Sequence, residues 1–188
     1  MRIRLFGFSL AVCVLALGLA ACQSGHVPDI EVSAEYQESY ELLKQAEYFA
    51  NGGIGFSGET PDELTAFSEL YNSPHAKEYF QKLEAEGTMA GKLYALCGLY
   101  YLDYENYQQY LAPYKTSKEN VKYFAGCSLV THPVSDLIYT EQEPVMRLEG
   151  PDDTIEAWLD RTGASGWRYD FYGGGYPASI LNHIKNFL

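Results

Sequence analysis

Residues 89–102 read MAGKLYALCGLYYL, and Lys92 is the one charged side chain among these fourteen residues. Apolar side chains would surround nearly the whole of a helix built from this segment, and a helix without a polar face belongs inside a protein. Its small residues would let neighbouring segments approach closely: Ala90, Gly91, Ala95 and Gly98. We therefore predict a buried helix at the centre of the core.

Three amphipathic helices are predicted ahead of this segment. The first carries apolar residues at helical spacing from Tyr36 to Phe49 and should stop at Asn51-Gly52-Gly53. The second and third begin at cap-then-proline sequences, Thr60-Pro61 and Asn72-Ser73-Pro74. The joints between these helices are short, which predicts compact antiparallel packing.

The pattern changes after the central helix. Asp103 is placed to cap a following helix, and apolar and polar residues alternate from Val121 to Val130 as in a strand. A second strand is predicted from Trp167 to Tyr172, and further helices after Asp153 and at the C-terminal end. The predicted fold class is mainly α (α+β), a compact bundle of short helices with a small two-stranded β element in the C-terminal half. We expect one globular domain over residues 34–188.

The N-terminal end has the pattern of an export signal. Arg2 and Arg4 precede an apolar run from Leu5 to Ala21, which is slightly short for a membrane-spanning helix. The sequence Leu19-Ala20-Ala21-Cys22 that follows resembles the lipobox of bacterial lipoproteins. The resemblance implies cleavage after Ala21, which removes residues 1–21, and a diacylglyceryl group on Cys22. The alternative is an ordinary signal peptide with a chance cysteine.

The same resemblance implies a place in the cell. Residues 22–33 would form the lipidated N-terminus and a tether, and the domain would be anchored in the cell envelope by its lipid. Gln23 follows the lipid site, and in similar proteins of Gram-negative bacteria a residue other than Asp there usually permits transfer to the outer membrane. The expected partner is therefore the membrane, reached through the lipid anchor.

The charge of the chain restricts its partners. It carries 13 Lys and Arg against 25 Asp and Glu, a formal charge of −12. Loss of the first 21 residues leaves 11 basic against 25 acidic residues, a charge of −14. Phosphate backbones and anionic headgroups are bound by Lys and Arg, so we expect no nucleic acid partner and no electrostatic attachment to lipid.

Two cysteines are expected to remain after cleavage and lipidation. Cys13 leaves with the signal and Cys22 is taken by lipid, so Cys97 and Cys127 remain as one pair in an oxidising compartment. We expect a disulfide between them. The alternative is two buried thiols that behave as small hydrophobic side chains.

We find no motif of an enzyme, a metal site or a cofactor site. The sequence from Gly87 to Leu93 lacks the spacing and the Ser or Thr of a phosphate-binding loop and is interpreted as a helix start. Asp152 and Asp153 precede an apolar helix, where capping explains them. No two of the four histidines stand three to five residues apart: His26, His75, His132 and His183.

Tyrosine is the conspicuous residue type. All 17 tyrosines follow residue 22, and seven of them lie between Tyr94 and Tyr114. Tyr100, Tyr104 and Tyr107 share helical spacing and are the candidate ligand-binding residues, since a tyrosine on a half-buried surface can grip a sugar or a protein. The alternative is that these rings fill gaps between short helices.

Two functions from different classes follow from these features. The first is a lipid-anchored, non-catalytic binding or interaction module with an envelope protein or a glycan as partner. The second is an envelope hydrolase acting on glycan, peptide or lipid. A cleft lined by tyrosine and paired carboxylates would favour the hydrolase.

Overall fold

The computed structural model describes residues 28–125, 127–138, 180, 181 and 184. In these ranges the chain forms helices and one antiparallel hairpin, which confirms the predicted fold class. Two short 3-10 helices flank α5, at Tyr104–Asn106 and Ala112–Thr116. The other elements are, in order, α1 (Gln37–Lys44), α2 (Asp62–Tyr71), α3 (Ala76–Glu86), α4 (Met89–Leu102), α5 (Tyr107–Leu111), β1 (Asn120–Ala125), β2 (Ser128–Pro133) and α6 (Val134–Leu137).

α4 is the central buried helix, as predicted. Every residue from Leu93 to Tyr100 is buried. Thr88 is the N-cap of this helix, and its Oγ1 accepts a 3.1 Å hydrogen bond from the N–H of Gly91. The interpretation of Gly87 to Leu93 as a helix start is therefore confirmed.

The small residues of α4 permit close packing on two sides. A Cβ placed on Gly91 would collide with the carbonyl oxygen of Leu43, and one on Gly98 would lie 2.8 Å from the ring of Phe80. α1 and α3 therefore approach α4 more closely than any larger residue would allow. This confirms the role predicted for these two glycines.

α1 ends earlier than the sequence pattern predicted, at Lys44 instead of near Phe49. Beyond it the chain extends, and Phe49 pairs in parallel with Tyr123 of β1. The N–H of Phe49 donates to the carbonyl of Lys122 at 2.8 Å, and the N–H of Phe124 donates to the carbonyl of Phe49 at 2.9 Å. These bonds to a distant strand replace the last turn of the predicted helix.

The single strand predicted from Val121 to Val130 is wrong, because the segment forms both strands of the hairpin. Ala125 of β1 pairs with Ser128 of β2, and Cys127 lies in the turn between them. The turn reverses the alternation, so Leu129 shares a face with Phe124 and not with Val121. The strand predicted from Trp167 to Tyr172 and the helix after Asp153 lie outside the described residues.

The two ends of the described chain both pack on the core. Val32 is buried and the N–H of Ser33 donates to the hydroxyl of Tyr79, so the packed chain begins before residue 34, where the domain was predicted to start. Near the other end Ile180, Leu181 and Ile184 are helical, and Ile180 and Ile184 are buried. Among the described helices, none has the length and the apolar character to cross a membrane.

Candidate functional site

The three tyrosines predicted as a ligand site do come together. The ring centroid of Tyr100 lies 5.5 Å from that of Tyr104 and 5.1 Å from that of Tyr107, in edge-on geometry. However, Tyr100 and Tyr107 are each 1% exposed, whereas Tyr104 is 51% exposed. A ligand can therefore reach only Tyr104, and the predicted site must be corrected. The rings of Tyr100 and Tyr107 fill the core beside α4, as the alternative interpretation proposed.

The expected disulfide is not formed in the structure. Cys97 is buried on α4, and Cys127 is exposed in the hairpin turn. The expectation rested on the compartment and on the number of cysteines left, neither of which places the two thiols in space. The turn instead places this thiol in solvent, away from the buried centre where Cys97 lies.

The other sequence candidates give no site in the described residues. His75 and His132 are exposed, and His132 faces Asp136 at 3.8 Å. No group of three or more metal-ligating side chains is found in the part of the chain that the structure covers. Cys22 lies outside the described residues, as do His26, His183, Asp152 and Asp153.

An open hollow with acidic walls lies where the end of α1 meets the start of α2. Its volume is about 440 Å³, and it is shallow and widely open to solvent. Glu41, Glu47 and Glu63 line it, together with the ring of Tyr48 and the side chain of Leu42. We call it the Tyr48 hollow. It combines negative charge with an aromatic and an aliphatic surface.

Hydrogen bonds organise the walls of the Tyr48 hollow. The hydroxyl of Tyr48 donates to Oε2 of Glu63 at 3.0 Å. Partial burial, that hydrogen bond and the nearby carboxylates raise the pKa of Tyr48 to about 12, so it stays neutral and keeps its proton on the bond. Glu41 accepts from the amides of Gln37 and Gln45 at 3.3 and 3.2 Å. The carboxylates of Glu41 and Glu63 are therefore held in place by hydrogen bonds within the domain.

A second hollow of about 440 Å³ lies at the opposite end of the α1–α2 contact. Glu35, Tyr36, Glu69 and Asn72 line it, and the hydroxyl of Ser39 on α1 bonds to the carboxylate of Glu69 on α2. The two helices run antiparallel, so one hollow stands at each end of the seam between them. Both hollows join a tyrosine to glutamates. We call this surface the α1–α2 seam.

A polar network between α3 and α5 has a different character. Asp103 is 7% exposed and receives hydrogen bonds from Lys77 (2.9 Å), Asn106 (2.9 Å) and Tyr110 (2.8 Å). Burial alone would raise the pKa of Asp103, but these bonds and the charge of Lys77 outweigh it and lower the pKa. The carboxylate was predicted to cap the next helix and instead fixes the loop after α4. The groups of this network bind one another, so we assign it a structural role.

The residues of the α1–α2 seam were missed by the sequence interpretation. Tyr48 lies beyond the end of α1 and Glu63 stands fifteen positions later, so no local spacing connects them. The one available signal was the excess of acidic residues, which does not say where they gather. Comparison of the chain with protein-family models, with curated proteins and with solved structures gives no match, and the chemistry of the seam itself is therefore what indicates a ligand.

Proposed function

We propose that the chain is a lipid-anchored protein of the cell envelope whose domain is a non-catalytic interaction module, and that the α1–α2 seam binds a basic segment of another envelope protein. The observation that carries the proposal is the Tyr48 hollow, where Glu41, Glu47 and Glu63 surround an aromatic ring. The anchor rests on the lipobox resemblance at Cys22.

The chemistry of the seam suits Arg and Lys side chains. Over the described residues, 17 acidic side chains stand against seven basic ones, so this part of the domain has a net negative charge that attracts cations. Close to the hollow, an Arg can pair with a carboxylate and stack on the ring of Tyr48, a contact worth about 0.5–1 kcal/mol at an exposed site. Each exposed ion pair contributes little, so the binding requires several of them and weakens with salt.

The test of binding uses the full chain, tagged at its C-terminal end and expressed in a bacterial envelope. Proteins are cross-linked in intact cells and captured, and the captured basic partner is then titrated with salt. The variant Glu41→Gln/Glu47→Gln should lose most of the capture. The matched control Glu78→Gln/Glu105→Gln removes the same charge from α3 and the loop after α4 and should capture as the wild type does. Equal loss in both variants, or in neither, would contradict binding at the seam.

The anchor is tested separately. Cells fed a labelled fatty acid should label the wild-type protein, and the mass of its N-terminal peptide should fit a lipidated Cys22 without residues 1–21. Cys22→Ser should remove the label and leave an uncleaved chain. A mature protein that begins elsewhere or carries no lipid would refute the anchor without affecting the seam.

The second candidate function is a hydrolase of the envelope acting on glycan, peptide or lipid. It is favoured by the three glutamates in one hollow, because two carboxylates on either side of a bond are the usual machinery of glycoside hydrolysis. Release of soluble fragments from envelope material by the purified protein, abolished in Glu63→Gln, would support it. Binding ranks first because Tyr48 already occupies Oε2 of Glu63 with a hydrogen bond.

A further inference from the structure

A small closed loop displays the most exposed large apolar side chain in the described residues. Ile54 and Glu59 exchange two backbone hydrogen bonds, of 2.8 and 3.0 Å, and the N–H of Gly58 donates to the carbonyl of Gly55. Phe56 stands at the tip of this loop and is fully exposed. Its apolar ring therefore buries no surface within the described residues.

Glycines hold the loop in this shape. Gly55 and Gly58 have φ angles of 70° and 65°, which side chains other than glycine rarely adopt. A Cβ on Gly53 would collide with the backbone of Gly58, so the two sides of the loop touch. The hydrogen bonds and the glycine conformations thus fix the tip with Phe56 pointing into solvent.

The hairpin carries a second exposed apolar side chain near its turn. Because Phe49 pairs in parallel with Tyr123, the chain leaves Phe49 towards the end at which β1 and β2 turn. Near that turn Leu129 is 49% exposed. The ring of Tyr48 packs edge-on against Phe124, with 5.0 Å between centroids, and joins the base of the loop to the hairpin.

Both tips are free of charge in an otherwise acidic domain. Residues 48–58 and residues 123–131 contain no Asp, Glu, Lys or Arg. We call these two segments the uncharged end. The exposed apolar side chains of these segments, Phe56 and Leu129, are available to contact a membrane or another protein.

We propose that the uncharged end rests on the bilayer and inserts Phe56 and Leu129 among the lipids. This inference rests on the lipid anchor of the proposed function. Nine residues lie between Cys22 and Val32, the first buried side chain in the described residues, and the ten Cα-to-Cα steps that join the two span at most roughly 36 Å. The tether therefore keeps the domain near the membrane, and the two segments of the uncharged end carry no carboxylate of their own towards the headgroups.

The acidic surroundings specify the kind of lipid surface. The Tyr48 hollow adjoins the uncharged end through the contact of Tyr48 with Phe124. Its glutamates would be repelled by anionic headgroups and tolerated beside zwitterionic ones. The expected surface is zwitterionic, and added anionic lipid should weaken the insertion.

The test uses the full lipidated chain in phosphatidylcholine vesicles. In a Cys127→Ser background an environment-sensitive dye is attached to Ser57→Cys at the loop tip or to Gln109→Cys, an exposed position on α5. The dye at position 57 should shift to the blue, be quenched by a lipid-borne quencher and escape aqueous iodide. The dye at position 109 should show no blue shift, should not be quenched by the lipid-borne quencher and should be quenched by iodide. Phe56→Ser should return position 57 to the behaviour of position 109.

The outcomes separate this inference from the anchor. If the chain floats with the vesicles and iodide quenches both positions equally, the anchor stands and the insertion is refuted. If position 57 is open to iodide on vesicles but protected in native envelopes, a protein covers it and the insertion is again refuted. A chain that carries no acyl group refutes the lipid anchor and, with it, the insertion that rests on the anchor.

Discussion

The hydroxyl of Tyr94 on α4 accepts a 2.8 Å hydrogen bond from the backbone N–H of Ala50, and both residues are fully buried. This bond ties the central helix to the segment from which the exposed loop departs. A buried N–H that loses its acceptor keeps its desolvation cost. Tyr94→Phe should therefore lower the free energy of unfolding by about 1–3 kcal/mol. Urea denaturation measures the change.

The control for that variant is Tyr104→Phe, which removes a hydroxyl from a half-exposed ring. Its stability should lie within about 0.5 kcal/mol of the wild type. A Tyr94→Phe protein as stable as this control would mean that the bond to Ala50 contributes nothing.

Gly91→Ala should destabilise the protein although alanine is the better helix former by about 1 kcal/mol. The new Cβ would collide with the carbonyl of Leu43, which is backbone and cannot move aside, and forcing such a contact costs about 1–3 kcal/mol. Gly98→Ala meets the buried ring of Phe80, which is a side chain and not backbone, so its loss should be smaller. Thermal unfolding of both variants checks the order, and a melting temperature raised by Gly91→Ala would contradict it.

Asp103 should govern the response to acid. Its folded pKa lies below the ordinary value of 3.8, so its contribution to stability is complete above that pH and is lost as pH falls through the folded pKa. Asp103→Ala should cost about 3 kcal/mol at neutral pH, because the donors from Lys77, Asn106 and Tyr110 lose their acceptor. Asp103→Asn keeps one acceptor and should cost less.

The pH series for Asp103→Asn is the sharper measurement. Its unfolding free energy below pH 4 should fall less steeply than that of the wild type, since the titrating group is gone. Parallel curves for the two proteins would assign the acid sensitivity to other carboxylates.

Alkaline pH should unfold the domain as seven of its described tyrosines ionise. Folding favours the neutral form of these seven, so the stabilisation they give is present below pH 10 and is lost as pH rises towards their folded pKa values, for Tyr48 about 12. The last part of the tyrosinate absorbance should appear together with the loss of helical circular dichroism. Helices that persist after the tyrosinate absorbance is complete would contradict the prediction. The seven are Tyr36, Tyr40, Tyr48, Tyr71, Tyr94, Tyr110 and Tyr114.

The helices were predictable because their signals are local. α4 needed only its own composition, and Pro61 and Pro74 stand just ahead of the first residues of α2 and α3, although neither helix has a side-chain cap hydrogen bond. The end of α1 was not predictable, because it depends on the pairing of Phe49 with a strand more than seventy residues away. The hairpin was missed because the alternation of residue types in β1 continues in the sequence through the turn at Cys127 to Leu129.

The candidate site depended on contacts of the same long-range kind. The spacing of Tyr100, Tyr104 and Tyr107 predicted their proximity correctly but not their burial, which the packing of α4 decides. The Tyr48 hollow is made by residues from two helices and the turn after the first. Sequence spacing specifies a face of one helix and cannot specify which other helix covers it.

The two cysteines should differ sharply in reactivity in the folded protein. Cys127 is exposed in the hairpin turn, so a water-soluble maleimide should label it rapidly, whereas Cys97 is 1% exposed and should react only on unfolding. Reaction of the unreduced, denatured mature protein should then detect two thiols, those of Cys97 and Cys127, and Cys127→Ser should leave one. If the denatured wild type yields no thiol until it is reduced, the two cysteines are bridged in the envelope. That result would require the hairpin turn to move towards α4, and it would reinstate the disulfide that the sequence suggested.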